Sequence, residues 1–292
     1  MLLRALISLW RRTGYLPLSW LHTIGRMLGL LYDWIPNRER HVAQVNLELC
    51  FPELTWQERK TMRRRVLQQI GCSLMELPYV WFRPMDQVSG LVQEVSDASL
   101  MQREPGQGLI LLLPHLGCWE ILGLTLPSDE KVTSLYRPPR EPLFEDLVKG
   151  ARERNGATLV PTDTQGVKQI YQALRAGSVT CILPDQEPKH SRASLFAPFF
   201  GTPALTMLLV NRLARKTGAK VIYAHAERLP SGRGYHIHFN PAPDGVSDAD
   251  PQVAATALNR GLEKVILQHP EQYQWSYRRY NEQPEGSDSP YH

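Results

Sequence analysis

A run of five aliphatic residues at 109–113 (LILLL) most constrains the fold of this chain. Such a run, when turn residues bound it, is typical of a strand buried inside a parallel sheet. Pro114 ends the run, Gly117 permits a tight turn, and residues 119–124 (WEILGL) predict the start of a helix. A buried strand that leads through a turn into a helix indicates an α/β fold.

Strand-like and helix-like segments alternate along the chain after residue 109. This alternation predicts a mixed, largely parallel central sheet flanked by helices. Residues 220–228 and 235–240, joined by a glycine-containing turn, predict an antiparallel hairpin at one edge of the sheet. The predicted strands are 109–113, 131–136, 158–161, 179–183, 220–228 and 235–240, and the predicted helices are 141–155, 165–176, 203–217 and 252–268.

The N-terminal region is basic and rich in aromatic residues. Residues 1–82 hold eleven Lys and Arg against six Asp and Glu, a net charge of +5, whereas the remainder carries −1. Up to residue 36, aromatic and aliphatic residues are interleaved with arginines, as in a helix that lies in the interface of an anionic membrane. Charged residues interrupt the apolar stretch 15–36, which is therefore too short for a membrane span. An amphipathic helix packed on the protein's own core is the alternative.

The N-terminal pattern also predicts a division of the chain. Helices are expected at 38–50 and 55–82, the second with a capping box formed by Thr55 and Glu58. We expect a helical anchor at the membrane interface (1–36) and one main domain (37–292), which contains a helical subregion (37–82) and an α/β core (109–280). The four cysteines show no paired spacing, which fits a reducing, cytoplasm-facing setting without disulfides.

His115 follows the central strand, and Glu120 lies five residues further on. On one continuous helix the two residues would point about 140° apart, but a turn between them can bring the carboxylate against the imidazole. We therefore predict a dyad in which Glu120 orients the ring and His115 takes a proton from a hydroxyl nucleophile. Cys118 offers the alternative of a covalent mechanism.

Polar residues follow two more predicted strands, at the edge where functional groups collect in parallel sheets. Arg137 follows the second strand and has the charge to neutralise a phosphate or a developing oxyanion. Asp185 and Gln186 follow the fourth strand. The hairpin also holds three histidines, which we interpret as solvated strand residues because no neighbouring Cys or carboxylate completes a clear metal site: His225, His236 and His238.

Several motifs occur in one order over nearly the whole chain. They are NLELCFPEL at 46–54, PHLGCWE at 114–120, YRPP at 136–139, LPDQEP at 183–188, APFFGTPALT at 197–206 and QYQWSYRRY at 272–280. In this ordered set the chain resembles the bacterial lipid A biosynthesis late acyltransferases of the HtrB/MsbB type, a branch of the lysophospholipid acyltransferase superfamily.

The resemblance implies transfer of a fatty acyl chain from an acyl carrier protein thioester to a hydroxyl of a lipid A precursor of the Kdo-lipid IVA type. It implies that His115 is the general base, that Glu120 is its partner, and that the acceptor attacks directly. The residues implied in substrate binding are Arg137, Asp185, Gln186 and, less directly, Arg278. Neither a metal nor an organic cofactor is expected.

The resemblance also implies a peripheral or monotopic protein on the cytoplasmic face of the bacterial inner membrane. The expected partners are acyl carrier protein, the lipid A precursor and the anionic membrane surface, and a basic rim would attract the acidic carrier protein. Nucleic acid is not expected, because the N-terminal aromatics alternate with long aliphatics rather than forming a surface for stacked bases.

Three questions stay open at this stage. The acceptor can be another lipid, such as a lysophospholipid or an ornithine lipid. The chain can also be a non-catalytic membrane-binding protein built on the same fold. Finally, the apolar stretch 195–201 either lines a channel for an acyl chain or packs in the core.

Overall fold

The structure, a computed structural model, describes residues 2–127, 129–139, 142–188 and 193–291. The α-helices in these residues are α1 (Leu2–Thr13), α2 (Leu18–Trp34), α3 (Arg38–Cys50), α4 (Trp56–Phe82), α5 (Met85–Ser89), α6 (Trp119–Thr125), α7 (Pro142–Glu153), α8 (Thr164–Arg175), α9 (Leu209–Thr217) and α10 (Pro251–Ile266). The strands are β1 (Val92–Ser96), β2 (Leu109–Leu112), β3 (Thr133–Tyr136), β4 (Thr158–Pro161), β5 (Val179–Ile182), β6 (Ser194–Phe199), β7 (Thr202–Met207), β8 (Lys220–Arg228) and β9 (Tyr235–Pro241).

Within the described residues the main sheet has the strand order β1-β9-β8-β2-β5. The aliphatic strand β2 is buried at all four positions, because it pairs in parallel with β8 on one side and β5 on the other. A second parallel pair, β3 and β4, continues from β5 through a bridge between Val132 and Val179. The prediction of a mixed, largely parallel sheet flanked by helices is therefore confirmed.

Two details of the predicted sheet are wrong. The β8–β9 hairpin forms, but it is not at the edge, because β1 pairs in parallel with β9. The sequence carries no apolar signal for β1 (VQEVS), whose three central residues are exposed. Residues 202–207 form strand β7 rather than the beginning of a helix, because they pair with β6. Only Leu209–Thr217 of the predicted helix 203–217 is α-helical.

The strand β6 also decides between the two roles left open for the stretch 195–201. Ala197 and Phe199 are buried. The Phe199 ring packs against Tyr280 at a centroid distance of 6.1 Å, and Phe200 packs against Phe51 at 5.5 Å. These contacts favour core packing of Ala197, Phe199 and Phe200, whereas Pro198 is exposed.

The N-terminal helix α2 packs closely against α4. The helices α3 and α4 form as predicted, and Thr55 and Glu58 make the predicted capping box. The helix α2 contacts α4 through glycines, so closely that a Cβ added to Gly71 would lie 2.0 Å from the carbonyl oxygen of Gly25. The small and polar residues of α2 face inward together with Leu18 and Leu21, while several of its other large apolar side chains are exposed. In the described part of the chain, every helix is too short or too polar to cross a membrane.

A buried ion pair joins these helices to the sheet. Glu76 of α4 accepts hydrogen bonds from Arg228 of β8, with 2.8 Å between Nε and Oε2, and from the Tyr235 hydroxyl at 2.8 Å. Burial alone would raise the pKa of Glu76, but the Arg228 charge and its hydrogen bonds hold that pKa far below its ordinary value. Arg228 also donates to the carbonyl oxygen of Gly117 at 3.3 Å, so the network supports the loop after β2.

The hairpin histidines are not the solvated residues that the sequence predicts. His225 is fully buried, and the Glu227 carboxylate lies 3.1 Å from the ring of His238 and 3.5 Å from that of His269. The prediction is wrong because the loop after α10 brings His269 onto the hairpin, and because Glu227 shares one face of β8 with His225.

Candidate active site

His115 and Asp185 occupy equivalent positions beyond two neighbouring parallel strands. Leu112 of β2 pairs with Ile182 of β5, and each polar residue lies three positions after its paired strand end. A proline precedes each of them and stops the strand. Because the carboxyl ends of adjacent parallel strands meet at one edge of the sheet, His115 and Asp185 lie side by side.

Asp185 accepts two hydrogen bonds from His115. The ring Nδ1 lies 2.9 Å from Oδ1, and the backbone N–H donates to Oδ2 at 2.8 Å. The Asp185 side chain is 2% exposed and the His115 side chain 16% exposed. Burial alone would raise the pKa of Asp185, but the His115 charge and these hydrogen bonds lower it below its ordinary value. The ionised carboxylate therefore keeps the proton on Nδ1, and the lone pair of Nε2 stays available as an acceptor.

Glu120 is not the hydrogen-bond partner of His115, contrary to the predicted dyad. Its carboxylate accepts hydrogen bonds from Arg152 at 2.5 and 3.1 Å and from the Trp81 indole at 3.2 Å. Burial alone would raise the pKa of Glu120, but the Arg152 charge outweighs that effect and lowers it. Glu120 lies in the first turn of α6, whose direction turns the carboxylate toward α4 and α7 rather than toward the end of β5.

Two side chains border the open side of His115. The Trp119 ring meets the imidazole edge-on, with 4.9 Å between the ring centroids. The amide nitrogen of Gln186, an exposed residue, lies 3.5 Å from His115 Nε2. His115 Nε2 therefore faces the surface between an indole and an amide.

An apolar cavity of about 80 Å³, part of it open to solvent, lies beside this loop. One wall is formed by Trp119 and the Glu120–Arg152 ion pair. The other lining side chains are mostly aliphatic: Leu113, Leu124, Val132, Leu135, Leu159 and Leu183. The site thus places the His115 imidazole beside a mostly apolar cavity, which suits an apolar group.

Cys118 lies inside the loop but is unsuited to act as a nucleophile. Its side chain is buried, and that burial raises the pKa of the thiol well above its ordinary value. The neighbouring Gly117 has a φ of +61°, and a Cβ added there would lie 1.9 Å from the carbonyl oxygen of Ala226. This turn therefore requires glycine, and it fixes Cys118 against β8.

The two predicted arginines are placed differently. Arg137 is exposed after the end of β3 and makes no hydrogen bond to any residue that the structure describes. Arg278 is half-buried over the Tyr291 ring, 5.7 Å from its centroid, and lines a surface cavity of about 400 Å³ together with Arg38 and Gln274. This cavity borders the active-site loop, because the Gln274 N–H donates to the carbonyl oxygen of His115 at 3.0 Å.

The segment that carries Gln274 completes the site, and local sequence patterns do not predict this. Tyr273 pairs with Leu116, and the carbonyl oxygen of Gln272 accepts a hydrogen bond from Gly117 at 3.1 Å. Burial raises the pKa of Tyr273 well above its ordinary value, and the nearby Asp185 carboxylate adds to the rise. Only the motif at 272–280 signals that this segment belongs to the site.

Comparison with known proteins identifies the family of this chain. The family model for the bacterial lipid A biosynthesis acyltransferases matches residues 2–282. The chain is 31% identical over 283 residues to the lipid A biosynthesis lauroyltransferase of Escherichia coli K12, across 94% of this chain and 90% of that protein. It is 28% identical over 279 residues to the palmitoleoyltransferase of lipid A biosynthesis from the same organism, with the same two coverages. A lipid A biosynthesis acyltransferase of Haemophilus influenzae is 27% identical over 268 residues, across 90% of this chain and 83% of its own length. The chain belongs to the bacterial lipid A biosynthesis acyltransferase family and is an O-acyltransferase.

Proposed function

We propose that the protein transfers a fatty acyl chain from an acyl carrier protein thioester to a hydroxyl of a lipid A precursor of the Kdo-lipid IVA type. The observation that carries this proposal is the pair of hydrogen bonds from His115 to Asp185 beside an apolar cavity. A positioned base next to an apolar cavity suits the reaction of a hydroxyl with an acyl chain. The names of the relatives support the acceptor.

The proposed reaction begins when His115 Nε2 removes the proton of the acceptor hydroxyl, while the hydroxyl oxygen attacks the thioester carbonyl carbon. Asp185 stabilises the imidazolium that forms. The tetrahedral intermediate then collapses, the C–S bond breaks, and the imidazolium returns its proton to the leaving thiolate. The products are an ester and the free thiol of the carrier protein, without an acyl-enzyme intermediate.

We assign the acyl chain to the apolar cavity beside Trp119. The ion pair of Glu120 with Arg152 forms its polar wall, which gives Glu120 a positioning role rather than the role of partner to the base. We assign the anionic groups of the acceptor to Arg137 and Arg278, because guanidinium groups bind phosphates and carboxylates through paired hydrogen bonds.

We further propose that α1 and α2 hold the protein at the cytoplasmic face of the bacterial inner membrane. The side chains of Trp20 and Trp34 are 64% and 74% exposed, and Met27 and Leu31 lie exposed on the same helix. A large exposed apolar patch marks a surface that binds a membrane or another protein. The last turn of α1 adds two arginines, which favour anionic lipid.

An acylation assay with full-length protein tests the proposed function. Carrier protein thioesters of several chain lengths are combined with a tetra-acylated, Kdo-bearing lipid A precursor, and mass spectrometry detects the product. We expect a gain of one acyl group and a loss of rate of about 10²–10⁴-fold in His115→Ala. The control His41→Ala changes an exposed residue of α3 and should retain the rate.

Two other outcomes would contradict the proposal. A product formed only with a lysophospholipid or an ornithine lipid precursor would move the acceptor to another lipid class. No product from folded protein with any of these acceptors would favour a non-catalytic membrane-binding protein.

A further inference from the structure

Five polar side chains meet on one face of the β8–β9 hairpin. In its antiparallel register His225 lies opposite His238, and Glu227 lies opposite His236. Residues two positions apart on a strand point to the same side of the sheet, so these four side chains share one face. His269, from the loop after α10, covers that face.

The distances within this cluster approach those of a metal site. Glu227 Oε2 lies 3.1 Å from His238 Nε2 and 3.5 Å from His269 Nε2. Ring nitrogens of His225, His238 and His269 lie within 4.8 Å of one another, and the Glu227 carboxylate lies within the same distance of ring nitrogens of His236 and His238. A tetrahedral Zn²⁺ with bonds of about 2.0–2.1 Å holds its ligand atoms about 3.3 Å apart. Small side-chain movements would therefore close the cluster around an ion.

His225 provides a second, independent observation. Its ring is fully buried, and neither ring nitrogen has a hydrogen-bond partner among the described residues. A buried polar group without a partner costs free energy, and a metal ion would engage one of these nitrogens. His236 differs, because both of its ring nitrogens have other partners. Ser96 Oγ lies 2.7 Å from its Nε2 and the Glu94 carboxylate 3.5 Å from its Nδ1, closer than the Glu227 carboxylate at 3.9 Å.

We propose that the cluster binds one divalent transition-metal ion of the zinc class, with His225, Glu227, His238 and His269 as ligands. Imidazole and carboxylate groups suit Zn²⁺, and four protein ligands make a closed, structural site. The sequence did not predict a metal site, because no carboxylate was identified beside the hairpin histidines. In the structure Glu227 is that carboxylate. A cavity of about 430 Å³, lined in part by Glu227 and His269, gives the ion a route from solvent.

The ion would fasten the loop after α10 to the hairpin. This loop continues into the segment that contacts the loop after β2. The carbonyl oxygen of Gln272 accepts a hydrogen bond from the Gly117 N–H at 3.1 Å, and the Gln274 N–H donates one to the carbonyl oxygen of His115 at 3.0 Å. We therefore assign the metal a role in holding this segment in place, outside the acyl transfer chemistry at His115.

Metal titration of the full chain tests this site. Purified protein without an affinity tag is stripped with EDTA and titrated with Zn²⁺ or Co²⁺ chloride. We expect one ion per chain by elemental analysis, the visible absorption of tetrahedral Co²⁺, and a rise of the thermal unfolding midpoint with Zn²⁺. His238→Ala and His269→Ala should each weaken binding about 100-fold or more. His236→Ala and His41→Ala should bind as the unaltered protein does.

Each contrary result would overturn a defined part of the proposal. Absence of stoichiometric binding by the folded, unaltered protein would exclude the site. Unchanged binding in both His238→Ala and His269→Ala, with circular dichroism showing folded protein, would move the ion elsewhere. Loss of binding in His236→Ala with retention in His269→Ala would show that the assigned ligand set is wrong.

Discussion

The backbone N–H and the ring Nδ1 of His115 both donate hydrogen bonds to the one carboxylate of Asp185. The two bonds act together, because one fixes the loop relative to β5 and the other fixes the orientation and tautomer of the ring. The pair resembles the arrangement in which a buried Asp orients a catalytic His. Asp185 is therefore the residue whose loss should most affect the function of His115 as a base.

Replacement of Asp185 by Asn should lower kcat by about 10²–10⁴-fold with little change in KM. The amide keeps the size of the side chain but removes the charge that stabilises the imidazolium. Steady-state acyl transfer by Asp185→Asn and by Glu120→Gln provides the comparison. We expect the second variant to lose much less activity, because Glu120 bonds to Arg152. A larger loss of activity in Glu120→Gln than in Asp185→Asn would show that Glu120 is the partner of His115.

Replacement of Cys118 by Ala should leave acyl transfer largely intact. The thiol is buried and its pKa is raised, so it does not supply a thiolate. The loss of a small buried side chain should cost about 1 kcal/mol of unfolding free energy. Mass spectrometry of protein quenched during turnover should detect no acyl group on Cys118. An acylated Cys118, together with an inactive Cys118→Ala, would establish the covalent mechanism.

The buried Glu76–Arg228 pair should make stability depend on pH in the acid range. The pKa of Glu76 in the folded protein lies far below the ordinary value of 4.5, since the effects of Arg228 outweigh burial. Below pH 4.5 the unfolded chain takes up a proton that the folded protein does not. The stabilisation present above pH 4.5 is therefore lost as the pH falls, by up to about 1.4 kcal/mol per pH unit.

Urea unfolding of Glu76→Gln tests this dependence. At pH 7 the unfolding free energy of the variant should be lower by about 3–5 kcal/mol, because Arg228 is left buried without its anion. The difference in unfolding free energy between the variant and the unaltered protein should become smaller below pH 4.5. Glu271→Gln, which breaks a solvent-exposed pair with Arg65, should cost less than about 1 kcal/mol. Equal losses in the two variants at pH 7 would contradict the assigned role of the buried pair.

Replacement of Gly71 by Ala should destabilise the contact between α2 and α4. The added Cβ would lie 2.0 Å from the carbonyl oxygen of Gly25, so the helices must separate, at a cost of about 1–3 kcal/mol. Gly150→Ala in α7 is the matched control. Apart from its chain neighbours and its own helix backbone, the added Cβ would meet no described atom within 4 Å. The variant should therefore gain about 0.5–1 kcal/mol of unfolding free energy. An unchanged thermal unfolding midpoint in Gly71→Ala would show that the two helices do not approach so closely.

Replacement of Trp20 and Trp34 by Ser should weaken binding to anionic vesicles about tenfold or more, because each indole would bury apolar area in the interface. Flotation with vesicles that contain phosphatidylglycerol measures this binding. Trp56→Ser removes an indole of similar exposure at the start of α4 and should bind as the unaltered protein does. Equal losses in all variants would show that α2 is not the membrane-facing surface.

Local sequence determined much of the fold and singled out His115. The aliphatic run of β2, the capping box of α4 and the β8–β9 hairpin were predictable, because side-chain periodicity and turn residues act over a few positions. The same signals marked His115 and Asp185 as residues that follow strand ends. They did not mark β1, whose residues are mostly polar and exposed.

Only the tertiary structure decided which residues meet. Glu120 is five positions from His115, yet the bonded carboxylate is Asp185, 70 positions away, because β2 and β5 are paired in register. The docking of α4 on the sheet likewise brought Glu76 to Arg228, and the loop after α10 brought His269 to Glu227. The physical reason is that strand pairing and helix docking depend on the free energy of the whole packed core, whereas a sequence pattern reports only the preference of its own segment.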